Sequence, residues 1–273
     1  MQGTIDFGRA VPFAQYAAIR AVNATAIKAG DTSMLHMHHR LSAPPEPDKP
    51  AFRWGRLVHA AVLEPDRFNR TVTIFDGTRR GKVWADALLA AEDPDMIVKP
   101  NELDELRAIQ ASVLGNADVA ELLADGCAEA SINWDDPAAG PSKARLDYVN
   151  KRVIADLKTA REIGYHRFIS NAASYGYHLQ FAWYRRGLRH ITGEDREFYV
   201  IAVESAAPYD VGVFEVPGGI LDEAEDRAVA ICKRYRKCEQ TGTYPGIYNG
   251  VQMFDLPEWK HAEMDEGVDW GTQ

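Results

Sequence analysis

Lys143-Ala-Arg-Leu-Asp-Tyr-Val-Asn-Lys-Arg-Val-Ile-Ala-Asp-Leu-Lys158 is the stretch from which the rest of the chain is best read. Apolar and polar residues alternate over 142–149 and again over 152–157, and Asn150-Lys151 is the turn signal between them, so the stretch reads as a β-hairpin. A two-residue loop sets Asp147 opposite Ile154 and Arg145 opposite Asp156. Side chains alternate faces along a strand, so Lys143, Arg145, Asp147, Asp156 and Lys158 then project one way, with the two carboxylates as diagonal neighbours roughly 7–8 Å apart. Carboxylates at that spacing can converge on one divalent cation, and hard oxygen ligands suit magnesium. A three-residue loop without a bulge would turn Asp156 to the other face. In isolation the pattern equally fits a charged hairpin surface on which Arg145 and Lys158 merely pair the acids.

Upstream, a strand over 128–134 places Glu129, Ser131 and Asn133 on one face. Downstream, a helix over 165–189 leads to strands over 197–204 and 211–216 and a helix over 221–239. Tyr177, Gln180 and Tyr184 recur at i, i+3 and i+7, one stripe of the first of these helices. Before residue 127 helical patterns dominate, over 13–28, 32–39, 52–63, 82–91, 102–111 and 118–124. Pro44-Pro45-Glu46-Pro47-Asp48-Lys49-Pro50 is a stiff connector that cannot continue a helix. Strands, a crossover helix and further strands describe an α/β sheet packed by helices. The expected organisation is a helical part over 1–126 packed on a core over 127–273, together one globular unit without internal repeats.

At 273 residues and 46% hydrophobic, the chain can bury a substantial core. No apolar run approaches the roughly 18 residues of a membrane span, and the N-terminus lacks a basic segment followed by an apolar one, so a cytoplasmic location is expected. Cys127, Cys232 and Cys238 are odd in number and not closely paired, which argues against a disulfide framework and against a zinc or iron–sulfur site. No phosphate-cradling glycine loop, nucleophile elbow or dinucleotide fingerprint appears, so no nucleotide cofactor is expected. The net charge of −9 argues against nucleic acid as a partner. Basic clusters nevertheless remain at Arg79-Arg80-Lys82, at Arg185-Arg186-Arg189 and over 233–237, each also readable as a solvated face.

Asp147 followed by Asp156-Leu157-Lys158 resembles the PD-(D/E)XK nuclease signature, with Leu146 where the family name has proline. Further stretches resemble the exodeoxyribonuclease VIII (RecE) group, relatives of the RecB-type and lambda exonuclease nuclease domains. They are Asn23-Ala-Thr-Ala-Ile-Lys28 with Ser33-Met-Leu-His36, Gly55-Arg-Leu-Val-His59 with Leu63-Glu-Pro-Asp-Arg-Phe68, Arg79-Arg-Gly-Lys-Val-Trp84, and Gln180-Phe-Ala-Trp-Tyr184. They run in family order from about residue 20 to residue 220. An Asp-x-Lys triplet is common by chance, whereas its combination with an upstream Gly-x-x-x-His and a downstream Gln-x-x-x-Tyr is far more specific.

The resemblance implies an α/β PD-(D/E)XK core, a central mixed sheet flanked by helices, with a helical N-terminal part. It implies magnesium, with manganese tolerated, held by Asp147, Asp156, His59 and Leu157. Lys158 would orient the attacking water or stabilise charge at phosphorus. Gln180 and Tyr184 would line the site, and Glu129 would reach the metal directly or through water. Ser33, Arg145 and Thr159 would contact DNA. Each has a plainer reading: a satisfied histidine, an edge-strand glutamate, an aromatic core stripe, a helix cap for Ser33, a strand end for Thr159. His36, His38 and His39 lack a second ligand cluster and read as structural or surface residues. Gly55 would let its helix approach the sheet or the DNA. The implied reaction is degradation of duplex DNA ends, 5′ to 3′, leaving a single strand for an annealing partner in recombination, by a ring-like homo-oligomer. The alternatives are a structure-selective endonuclease on the same core and a DNA-end-binding accessory protein without turnover.

Overall fold

The computed structural model describes residues 4–5, 11, 13–44, 50–258 and 260–261. Before residue 127 the chain runs through β1 (Thr4–Ile5), α1 (Phe13–Ala18), α2 (Ala24–Thr32), α3 (Met34–Ser42), α4 (Pro50–Leu63), α5 (Pro65–Thr71), β2 (Thr73–Ile74), α6 (Gly81–Ala90), β3 (Ile97–Val98), α7 (Pro100–Leu114) and α8 (Ala117–Leu122). It continues through β4 (Cys127–Asp136), β5 (Gly140–Val149), β6 (Val153–Ala160), α9 (Tyr165–Ser174), α10 (Tyr177–Thr192), β7 (Glu197–Glu204), β8 (Val211–Val216) and α11 (Gly218–Thr241). Residues 45–49 of the expected proline-rich connector lie outside the described residues.

The main sheet has the order β1-β4-β5-β6-β7-β8, antiparallel throughout except for the parallel pair β6 and β7. Parallel neighbours cannot be joined by a hairpin, so α9 and α10 make the crossover between them. Each face of the sheet carries its own core. On one, Ile27 and Met37 of α2 and α3, Trp183 of α10 and Cys232 of α11 pack on Ile132, Leu146 and Phe198. On the other, Leu57 of α4 and Leu106 and Ile109 of α7 pack on Ala155, Leu157 and Ile201. The mixed sheet flanked by helices agrees with the sequence-based expectation.

Two helices expected as single pieces are broken. Between α1 and α2, Val22 forms a bridge to Ser142, and the Asn23 side chain caps α2 by accepting the Ala26 N–H at 2.9 Å. Between α9 and α10, Gly176 adopts φ +64°, a left-handed conformation that side chains other than glycine rarely take. The hairpin turn is also displaced by one residue. Asn150 Oδ1 accepts the N–H groups of Arg152 and Val153 at 2.8 Å, which makes Lys151 and Arg152 the loop. Val149 therefore pairs with Ile154, where the sequence reading paired Asp147 with it. A slip of one residue on both strands preserves the parity of the faces.

Candidate active site

Strands β5 and β6 pair only at Tyr148↔Ala155 and Val149↔Ile154 and then separate. Continuing that register brings Asp147 level with Asp156, closer than the diagonal placement expected from sequence. At the opening, Asp147 Oδ2 accepts the Leu157 backbone N–H at 2.8 Å, so a side chain satisfies a buried donor that a ladder bond would otherwise hold. On the other side of β5, Glu129 falls opposite Asp147, between the pairs Ala128↔Tyr148 and Ala130↔Leu146. Glu129 has φ +53°, which for a non-glycine residue costs roughly 1–3 kcal/mol. The consequence is visible in the packing. Ala130 and Leu146 belong to the core under α10, whereas Ala128 and Tyr148, two residues along their strands, belong to the core under α4. Regular pleating would keep residues two apart on one face. Both strands thus switch faces at Glu129 and Asp147, and the two carboxylates sit at the switch.

His59 approaches this seam from α4. Its Nδ1 lies 3.5 Å from Glu129 Oε1 and 3.7 Å from Asp147 Oδ1, and its Nε2 lies 3.0 Å from the Leu157 carbonyl oxygen. His59, Glu129 and Asp147 each offer a ligand atom within 4.8 Å of the others. Burial alone would discharge the ring, but Asp147 and Glu129 outweigh it and lift the His59 pKa from 6.5 to about 9. Burial, reinforced by the charge of Asp156, pushes the Asp147 carboxyl well above the usual carboxylate range. Burial acts the same way on Glu129, but His59 and Arg145 overcome it and hold that carboxyl low. The ring thus lies with Nδ1 toward the two carboxylates and Nε2 toward the Leu157 carbonyl.

Asp156 looks toward α10. It is fully buried and ion-paired with Lys158, and its Oδ1 accepts from Gln180 Nε2 at 3.1 Å. Gln180 Nε2 also lies 3.1 Å from the Tyr184 hydroxyl, so the Tyr177, Gln180 and Tyr184 stripe faces this site. Burial pushes the Tyr184 phenol well above its usual range, with Asp156 and Asp147 adding to it, so it keeps its proton. Burial works against the Lys158 charge, but Asp156 and Asp147 more than offset it and raise the ammonium's pKa. The Lys158 Nζ lies 5.0 Å from the centre of the Tyr177 ring.

Other sequence candidates lie elsewhere or are already engaged. Arg145 is ion-paired with Glu129 and donates to the Val11 carbonyl and Ser131, so its guanidinium is spent inside the protein. Lys143 donates to the carbonyls of Tyr16, Ala17 and Ile19 at the end of α1. Ser33 caps α3, accepting the His36 N–H, and lies 2.7 Å from His36 Nδ1. Thr159 is partly buried in β6, paired with Val203. A Cβ on Gly55 would meet nothing within 4 Å, so close helix packing does not explain that glycine. His38 stacks on Tyr244 with ring centres 3.7 Å apart. Arg185, Arg186 and Arg189 are tied to Asp136, Asp195, Asp222 and Glu225, and Arg79 to Glu102. These arginines are internal ion-pair partners and not open basic faces. Lys28 and Tyr16 reach the site without any signal in their spacing. Lys28 Nζ donates to Gln180 Oε1 at 3.2 Å, and the Tyr16 ring carries Lys143 Nζ 4.6 Å from its centre.

The residues present fit a divalent cation. Carboxylate oxygens and an imidazole suit magnesium or manganese. Burial and the neighbouring Asp156 work against the Asp147 charge, and a bound cation would offset both. Asp147, Glu129 and His59 would hold it, with Asp156 beside them on the neighbouring strand.

Comparison with known proteins bears on the fold and the family. A search of curated proteins gives no match. Among solved structures, the crystal structure described as a "Putative exonuclease" from Eubacterium rectale aligns with a TM-score of 0.60 at 16% identity, covering 94% of this chain and 97% of that one, a likeness of fold. The crystal structure of SSO0001 aligns with a TM-score of 0.30 at 11% identity over 82% of this chain and 88% of that one, too distant to bear on the fold. The profile of the PDDEXK-like domain of unknown function (DUF3799) matches residues 25–256. The chain belongs to this PDDEXK-like family and so to the PD-(D/E)XK nuclease superfamily.

Proposed function

We propose that the protein is a magnesium-dependent exodeoxyribonuclease of the exonuclease VIII type. The observation that carries this reading is the convergence of His59, Glu129 and Asp147 within 4.8 Å at the seam where Asp156 and Lys158 emerge. A pure binding module has no use for a strained glutamate, a fully buried aspartate and a lysine gathered at one point. A bound divalent cation would polarise the phosphodiester and lower the pKa of the attacking water. This chain's own groups do the rest. Lys158 stabilises charge on the phosphoryl oxygens, Gln180 keeps Asp156 oriented, and Tyr184, protonated, offers a hydrogen bond near the leaving oxygen. The Leu157 carbonyl, now facing His59 Nε2 at 3.0 Å, would be a further oxygen ligand for that cation.

The exonuclease description of the Eubacterium rectale structure supports action from DNA ends. Polarity from 5′ to 3′, a role in recombination beside a single-strand annealing protein, a homo-oligomeric assembly and a cytoplasmic location complete the proposal. Among the described residues no helix is long and apolar enough to cross a membrane. The helical part over 1–126 serves the core by delivering His59, and we read the two as one unit. DNA contacts by Ser33 and Thr159 remain part of this reading. The test is duplex DNA labelled at either end, linear or closed circular, with and without magnesium. Loss of the 5′ label from linear DNA only, in magnesium only, is expected. Cutting of closed circles would replace the exonuclease reading with an endonuclease one.

A further inference from the structure

Gln180 is an amide with two chemically different ends, and each end has a partner. Its Nε2 faces Asp156 Oδ1 and the Tyr184 hydroxyl, both at 3.1 Å, and its Oε1 faces Lys28 Nζ at 3.2 Å. Lys28 comes from α2, 152 residues away in sequence from Gln180. Turned the other way, the amide would set its NH₂ against an ammonium and its oxygen against a carboxylate. Lys28 also shares the Tyr177 ring with Lys158, the two ammonium groups lying 5.7 and 5.0 Å from its centre. We propose that Lys28 is a positioning residue of this active site, fixing the sense of the Gln180 amide and, by like-charge repulsion, keeping Lys158 on Asp156.

Two further observations support it. Burial, with Lys158 beside it, lowers the Lys28 pKa from 10.5 to about 8, so holding an ammonium here is unfavourable, and an apolar side chain would fill the space at less cost. The break between α9 and α10 also makes room for this lysine. A Cβ on Gly176 would come within 3.1 Å of Lys28 Cδ and 3.2 Å of Cγ, so the left-handed glycine leaves the passage through which the lysine stem reaches Gln180.

The inference rests on the nuclease reading, and its test separates the two. Lys28→Met and Lys28→Arg are compared with the unaltered full chain on linear duplex in magnesium. Metal-free DNA binding and the ¹⁵N side-chain amide signal of Gln180 are recorded alongside. Lys28→Met should lower kcat roughly 10–100-fold, as when a partner that orients a ligand is removed, with KM and DNA affinity within about twofold. Lys28→Arg should recover most of the loss, and the Gln180 signal should move in Lys28→Met. A folded Lys28→Met protein with unchanged kcat overturns the proposal. A loss confined to KM and DNA affinity overturns it too, making Lys28 a substrate-binding group. If the unaltered protein hydrolyses no DNA, the nuclease reading has failed and the Gln180 signal alone decides: movement supports positioning, and a static signal overturns it.

Discussion

The Asp147 carboxylate accepts the Leu157 backbone N–H at 2.8 Å, taking the place of a strand pairing bond at the point where β5 and β6 part. Asp147 is therefore both a structural acceptor and a ligand candidate, and substitutions can separate the two. Asp147→Asn keeps an acceptor and removes a buried charge repelled by Asp156, so it should melt within a few degrees of the unaltered protein and show no metal-dependent hydrolysis. Asp147→Ala leaves the Leu157 N–H unsatisfied and should lose about 1–3 kcal/mol of stability as well. Thermal melts beside nuclease assays check both. Asp147→Asn retaining full activity would remove Asp147 from the site.

Asp156 lies on an interior strand, fully buried against Lys158. Removing one member of a buried pair typically costs about 3–5 kcal/mol, because the other charge stays behind. Asp156→Ala should therefore unfold more easily as well as lose activity, whereas the double variant Asp156→Ala with Lys158→Met should regain stability and remain inactive. Urea unfolding of the single and double variants measures the difference.

Lys158→Ala frees the Asp156 carboxylate without touching His59, Glu129 or Asp147. Metal affinity by calorimetry should be unchanged or tighter, while the chemical step slows by roughly 10²–10⁴-fold. Weakened metal binding with normal turnover would reverse the assignment.

Lys28 gives the protein a pH signature. Its pKa is about 8 in the folded chain against 10.5 unfolded, so the folded state disfavours the charge. At pH 7 that disfavour is fully present, and stability recovers as pH rises from about 8 to about 10.5, where folded Lys28 has lost its proton and unfolded Lys28 has not. Lys28→Met should therefore be more stable than the unaltered protein at pH 7. The gain has a ceiling of roughly 3 kcal/mol at about 1.4 kcal/mol per pKa unit, less about 1 kcal/mol for the lost bond to Gln180. The advantage should shrink toward pH 10. An advantage that grows with pH would contradict the burial cause.

How far the sequence carries varies by element. The strands β7 over 197–204 and β8 over 211–216 fall where the sequence reading put them, and β7 shows as a short continuous apolar run because Val200, Ile201, Ala202 and Val203 are buried on both faces of the sheet. Asp147 remains a neighbour of Asp156 although Asn150 moves the turn, since a slip on both strands preserves parity, but the switch of faces along β5 has no signal in the alternation. The breaks at Asn23 and Gly176 were signalled only by residue types that helices also tolerate. The left-handed backbone at Glu129 leaves no trace in sequence, and neither does the arrival of Lys28 beside Gln180, which depends on α2 packing against α10. His59 enters through the family resemblance; its position between the Leu157 carbonyl and two carboxylates is a product of tertiary packing.

Crystals soaked in manganese and measured for anomalous scattering would locate the cation itself. A single strong peak is expected at the seam between His59, Glu129 and Asp147, with an imidazole nitrogen and carboxylate oxygens about 2.0–2.4 Å from it. A His59 ring still bonded to the Leu157 carbonyl, with no peak among the three side chains at saturating manganese, would contradict a metal-dependent nuclease site at this seam.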